Sequence, residues 1–517
     1  MPKQQFFLVL ICFVALTTAF GENSKKKNVV GLTLVADQRD RVVLQKEAFG
    51  VNNYINTRPY AYNNPDYIKT YLESGSQYFR FPCGTPANYY NWQTGFFDLH
   101  PKMSKSHRMR MENNNKSVKR LHGEQGFLLK PFFAFLKGTE TKFGIVLNVT
   151  TLSPVENGRQ IAAFRKAGLS VSRVEMGNEL YYNNYGGLVE DVGAYIRISK
   201  ETSKLIHQED PNTKVGVIVP SHLFTKENFL AEGPVAGKKG RQEDWYAELK
   251  GESFYDAVII HLYTQTGMSH RTQENDLYPY PKAYRYAMAH LDARLNRALK
   301  ELSSYFPNRE IWITEWGLGG FSGPLRQYRM RFSYLGALHN MVFMMKIWSD
   351  PNVTATNLHS FVQWLEYERP DDKNRNGRFK KKVHFQAFAF LKDLVERSET
   401  ITPMKLLGQK NYTMKEGAFR GKFSDLEGAL LEGEGSRKLL LINKFEHPYH
   451  LQKIISRGGA GSSELEAMSI QSFSPNKDMA IDKALRDEFS FSHQSEVKVD
   501  ENTVILPWSI NIINLKN

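Results

Sequence analysis

Two glutamates stand directly behind apolar, β-rich runs. One run, residues 172–176 (SRVEM), leads into Gly177-Asn178-Glu179-Leu180; the other, 310–314 (EIWIT), leads into Glu315-Trp316-Gly317. Two carboxylates that face each other can cleave a glycosidic bond. One must be protonated to give its proton to the leaving oxygen; the other must be ionised to attack the anomeric carbon. Retaining enzymes hold the pair about 5–5.5 Å apart, and inverting enzymes leave more room for a water. Burial and mutual repulsion raise the pKa of one partner, which makes it the acid.

Chemistry of this kind needs a rigid frame. Eight apolar runs recur along the chain, at 48–55, 77–82, 144–150, 172–176, 215–220, 257–263, 310–314 and 360–365. Continuous Val/Ile-rich runs suit strands buried on both faces. Amphipathic stretches lie between them, at 157–166, 191–208 and 283–302. Eight strands alternating with helices predict a (β/α)8 barrel, whose active sites form at the C-terminal ends of the strands. Runs four and seven lie three steps apart around such a barrel, so Glu179 and Glu315 can face each other across its mouth.

The pattern changes near residue 400. Short strand-like pieces separated by Gly, Ser, Asn and Asp predict an antiparallel β-sandwich over 399–517. Residues 22–47 read as strands that join it, and 48–398 as the barrel. Two polar, basic stretches, 102–125 and 371–382, read as loops on the active-site side. Residues 1–21 read as a cleaved export signal: Lys3, an apolar run from Phe6 to Phe20, and small residues at its end. The run is too short to anchor the chain stably in a bilayer.

The residues at the strand ends resemble a known group. Asn178-Glu179 after strand four, with Glu315 after strand seven, is similar to clan A (the 4/7 superfamily) of retaining glycoside hydrolases. The resemblance implies that Glu179 is the acid/base and Glu315 the nucleophile. It also implies that Asn178 meets the 2-hydroxyl of the sugar being cleaved, that His261 and Tyr263 support the nucleophile from strand six, and that Trp364 on strand eight floors the sugar site. Residues Arg80-Phe81-Pro82-Cys83-Gly84-Thr85 resemble the Arg-Phe/Tyr-Pro-Gly-Gly-Thr motif of heparanase-like and arabinofuranosidase-like members, with Cys83 in place of a glycine. Together with the charge, this suggests a heparanase-like or β-glucuronidase-like relative. The Glu-Trp-Gly context of strand seven departs from heparanase itself. Arg80 is expected to hold a catalytic carboxylate ionised through a two-pronged pair, or else a barrel-bottom acid, and Asn53, in the first run, to join the substrate-binding set. Each residue also has a purely structural reading: Glu179 as a helix N-terminal acid, Glu315 as an ion-pair partner, His261 and Trp364 as core. Glu175 reads as a barrel-wall acid.

Composition narrows the partners. The net charge is +14, which favours encounter with polyanions. For an exported chain these are acidic polysaccharides rather than nucleic acid. The expected substrate is therefore an anionic glycan cut internally, with a neutral glycan or a non-catalytic carbohydrate-binding role as alternatives. Of two cysteines, Cys12 lies in the signal, which leaves Cys83 as a packed thiol. No metal or cofactor motif is present in the sequence, and a monomer is expected.

Overall fold

The computed structural model describes residues 29–53, 57–221, 243–267, 280–319, 330–368, 378–416, 419–458, 461–475, 491–500 and 503–516. The proposed signal at 1–21 lies outside them, as does most of the basic stretch at 371–382. Among the described residues no helix is long and apolar enough to cross a membrane.

Eight parallel strands close into a barrel: Gly50–Asn52, Tyr78–Phe81, Lys142–Val146, Arg173–Glu175, Lys214–Ile218, Ala257–Thr264, Glu310–Leu318 and Val353–Leu358. Most residues of these strands are buried, because neighbouring strands, the lumen and the outer helices leave them little contact with water. Helices such as Val192–Glu209, which buries Tyr195, Ile196, Ser199 and Ile206, cover the outside.

The eighth strand is not the 360–365 run. It is Val353–Leu358 (VTATNL), and residues Phe361–Trp364 form a short 3-10 turn behind it. The apolar character of 360–365 has another cause. Phe361 and Trp364 pack on the helix Val383–Phe390, with ring centroids 6.0 Å between Phe361 and Phe385 and 5.4 Å between Trp364 and Phe388.

The stretch 102–125 is also not a loop. It holds the helix Lys105–His122, whose first turn is capped by the Ser104 hydroxyl accepting from the His107 amide. His107, Met111 and Val118 are buried along one stripe, while most of the basic side chains point outward. Of the second basic stretch, Arg378–Lys381 pairs antiparallel with Leu365–Glu368.

Beyond the barrel, Val30–Asp37 lies between Thr400–Leu407, antiparallel to it, and Tyr449–Gly458, parallel to it, in an eleven-stranded sheet. Alternation gives this sheet two faces. In Ser436–Asn443, Leu439 and Leu441 join a core with Leu32, Leu34, Leu430 and Ile513. Leu440 and Ile442 join the barrel's core from the opposite face. An ionic cluster crosses the junction: Lys346 Nζ lies 2.9 Å from Glu427 and 3.1 Å from Asp292, and Lys444 Nζ 2.9 Å from Glu427.

Candidate active site

The turn after strand four is built to present a carboxylate. Gly177 has φ 80°, and an added Cβ would press on Leu180 and Val149. Glu179 itself sits at φ 53°, in the left-handed region that side chains other than glycine seldom adopt. Such backbone is held only when its surroundings impose it. Here Asn88 clamps the turn from both sides: its Oδ1 accepts from the Asn178 amide at 2.8 Å and its Nδ2 donates to the Asn178 carbonyl at 2.7 Å.

Strand seven presents its glutamate by a different device. Ile313 pairs with Ile260, but Glu315, not Thr314, pairs with His261. This bulge inserts one residue and re-aims the side chains around it. Thr314 and Glu315 both find partners among residues of strands two, four and six, while Trp316 packs on Phe343 with centroids 4.9 Å apart.

The two glutamates meet around one imidazole. His261 Nδ1 lies 2.9 Å from Glu179 Oε1 and 3.7 Å from Glu315 Oε2, and its Nε2 lies 3.4 Å from Thr314 Oγ1. Tyr263 donates to Glu315 Oε2 at 2.8 Å, and Arg80 Nη1 donates to Glu315 Oε1 at 2.8 Å. The side chain of Glu315 is 7% exposed and that of Glu179 is 22% exposed, so the pair is buried but not sealed from solvent.

Burial pushes the Glu315 carboxyl up, but the positive charges of His261, His359 and Arg80 and the Tyr263 hydroxyl outweigh it and hold it well below the usual carboxylate range. Burial keeps His359 itself down at about 3, so at neutral pH it adds no charge, and the fixed charge beside Glu315 is that of Arg80. His261 is raised: burial opposes its charge, but Glu315 and Glu179 prevail. Burial and the neighbouring Glu315 push Tyr263 well above its ordinary value, so its hydroxyl stays a donor. Burial also pushes the Cys83 thiol well up, which keeps it a packed, neutral group.

The structure thus brings together Glu179, Glu315, Asn178, His261, Tyr263 and Arg80. It does not bring Trp364 to them. That side chain is 1% exposed and lies against Phe361 and Phe388. Asn53 is buried one residue past strand one and donates to the Tyr67 hydroxyl. The two-pronged pair of Arg80 goes not to a catalytic candidate but to Glu175, through Nε–Oε1 and Nη2–Oε2, both 2.8 Å. Nη2 also donates to Asn178 Oδ1 at 3.0 Å. Asn178 Nδ2, though buried, has no partner among the described residues.

Three contributors were not legible beforehand. Asn88 lies in a 3-10 turn with no spacing signal. Thr314 enters only through the bulge. His359, whose Nδ1 lies 3.9 Å from Glu315 Oε2, directly follows strand eight. Placing that strand at 353–358 would have marked it as a strand-end residue like Glu179.

No family model and no curated protein matches this chain. Solved structures resemble it in fold. A GH51 arabinofuranosidase from Xanthomonas axonopodis pv. citri aligns with TM-score 0.63 and 14% identity over 94% of this chain and 100% of its own. The thermostable GH51 alpha-L-arabinofuranosidase from Thermotoga petrophila RKU-1 gives the same values. A xyloglucanase of glycoside hydrolase family 44 from Paenibacillus polymyxa aligns with TM-score 0.58 and 11% identity over 94% and 100%. At such identities the likeness is one of fold: the barrel together with the appended sheet.

Proposed function

We propose that this chain is a retaining glycoside hydrolase with Glu179 as acid/base and Glu315 as nucleophile. The observation that carries the reading is the single imidazole nitrogen of His261 lying within 3.7 Å of an oxygen of each glutamate. That closeness favours the spacing of about 5–5.5 Å used for covalent double displacement over the wider gap of an inverting pair. Glu315 attacks the anomeric carbon as its bond to the leaving oxygen breaks, and Glu179 gives that oxygen a proton. Water then attacks the same carbon, Glu179 takes its proton, and the glycosyl ester to Glu315 breaks. Arg80, His261 and Tyr263 keep Glu315 ionised and oriented. Asn178 Nδ2, buried and unpartnered, is a donor for a sugar hydroxyl.

For the substrate we favour a neutral glycan. The solved structures of like fold are named for arabinofuranosides and xyloglucan, which carry no ionised groups. The guanidinium of Arg80 is already committed to Glu175, Glu315 and Asn178, so it is not available to a sugar carboxylate at the cleavage point. An acidic glycan is the second reading. It rests on the net charge of +14 and the outward basic face of Lys105–His122; the motif at 80–85, shared by heparanase-like and arabinofuranosidase-like members, is compatible with either reading. Digestion of a panel of neutral and acidic polysaccharides, with product mass analysis, tests the function and separates the two. Release of neutral oligosaccharides supports the first reading, uronate- or sulfate-bearing products the second, and no product from any glycan contradicts the function. We also propose that residues 1–21 direct export; N-terminal sequencing of protein recovered from the medium should begin after Gly21.

A further inference from the structure

Glu175 is fully buried, and the chemistry above gives it no part. It lies on strand four, four residues before Glu179. Arg80 takes both of its oxygens at 2.8 Å, and the Thr314 hydroxyl donates to Oε2 at 3.2 Å. Arg80 is also fully buried. Its five N–H groups form a rigid fork, and one edge of that fork is spent on Glu175. What remains faces the candidate catalytic groups: a second bond from Nη2 to Asn178 and one from Nη1 to Glu315.

This division has two chemical consequences. A buried guanidinium next to a single carboxylate forms a two-pronged pair with it. Such a pair on Glu315 would occupy both of its oxygens and compete with the Tyr263 hydroxyl for Oε2. With the edge occupied, Glu315 receives one N–H from Arg80, on Oε1, and Oε2 is left to the Tyr263 hydroxyl. The second consequence concerns Asn178. A guanidinium can only donate, so Asn178 must turn its oxygen to Arg80. That orientation is what leaves Nδ2 without a partner among the described residues.

We propose that Glu175 is a positioning residue that acts through Arg80, rationing the guanidinium to one hydrogen bond on Glu315 while fixing the amide of Asn178 with its donor toward the sugar. The proposal rests on Glu315 as nucleophile and Glu179 as acid/base.

Glu175→Gln keeps the size and removes the charge, so its amide N–H groups oppose those of Arg80. In the folded variant, kcat/KM on the 4-nitrophenyl glycoside that the wild type cleaves best should fall about 100-fold, as expected when a reacting group is misplaced by an ångström. Inactivation by the matching 2-deoxy-2-fluoro glycosyl fluoride, which reports the attack step alone, should slow in the same proportion. A crystal structure should show Arg80 turned to give Glu315 two N–H groups. Glu175→Asp, which retains the charge, should recover part of the rate. A purely structural ion pair would instead lower the melting temperature and leave the rate constants of the folded protein unchanged, and that result overturns the proposal. So does an unmoved Arg80. If Glu175→Gln does not fold, Glu175→Asp decides: a slower attack step supports the role, and wild-type rates overturn it. If the wild type neither hydrolyses nor labels with any glycoside, the glycosidase reading falls by itself, and the position of Arg80 in the variant still judges the positioning role.

Discussion

Tyr263 donates its hydroxyl to Glu315 Oε2 at 2.8 Å, on the oxygen that Arg80 leaves open. Arg80 holds Oε1 at the same distance, so each oxygen of the carboxylate has its own donor. A hydrogen bond to a charged group contributes about 1.5–3 kcal/mol. Tyr263→Phe removes one donor and little volume. Its kcat/KM should fall roughly 10- to 100-fold, with the melting temperature nearly unchanged. Wild-type kinetics in this variant would mean that Glu315 is not the charged reactant.

Asn178 offers the second kinetic test. Asn88 holds the backbone on both sides of residue 178, so Asn178→Ala should leave the turn in place while it removes the Nδ2 donor and the Oδ1 that accepts from Arg80. The expected loss in kcat/KM is tenfold or more, on the order of one unpaired sugar hydroxyl. Steady-state kinetics with a melting curve checks it; an unaltered kcat/KM would remove Asn178 from the substrate site.

Trp364 should behave in the opposite way. Its ring is buried against Phe361 and Phe388, behind the turn that follows strand eight. Trp364→Leu leaves a cavity and should cost about 2–4 kcal/mol of stability, read as a lower midpoint in urea. The kcat of the folded protein should stay within a factor of about two, well under the tenfold step that 1.4 kcal/mol would bring. A selective loss of substrate affinity would restore this tryptophan to the sugar site.

Glu427 makes stability depend on acid pH. Burial opposes its charge, yet Lys444 and Lys346 outweigh burial and hold it at about 2. Because the folded value lies below the unfolded one, the stabilisation is complete above about pH 4.5 and is lost as pH falls toward 2. Glu427→Gln leaves the buried Lys444 and the half-buried Lys346 without this partner and should cost about 3 kcal/mol near neutrality. Melting temperatures from pH 7 to 3 should drop steeply for the wild type and less for the variant. Parallel curves would show that the cluster does not link the barrel and the sheet energetically.

Much of the fold could be read from the sequence because buried parallel strands favour apolar, β-rich runs, and seven of the eight barrel strands overlap the runs the sequence marks. Strand eight does not. Val353–Leu358 alternates apolar residues with Thr and Asn, while the aromatic run behind it packs on a helix and mimics a strand. The helix Lys105–His122 was hidden for a related reason: its buried stripe of His107, Met111 and Val118 is thin beside so many charges. Glu179 was legible because it lies just past the end of a strand; Glu315 was legible by its apolar run, although strand seven continues past it to Leu318 and a bulge, not the strand's end, aims it. The partner of Arg80 was not. Two buried acids lie within its reach, and only the register of strands two, four and seven decides that Glu175 takes the fork and Glu315 a single N–H.

The central claim is that Glu315 forms a covalent bond to the sugar. Incubation with 2-deoxy-2-fluoro glycosyl fluorides, followed by intact mass and peptide mapping, tests it most directly. The expected result is one added glycosyl unit on the peptide that carries Glu315, absent in Glu315→Gln, which should itself be folded and without turnover. Labelling of another residue, or hydrolytic activity retained in Glu315→Gln, would contradict the account.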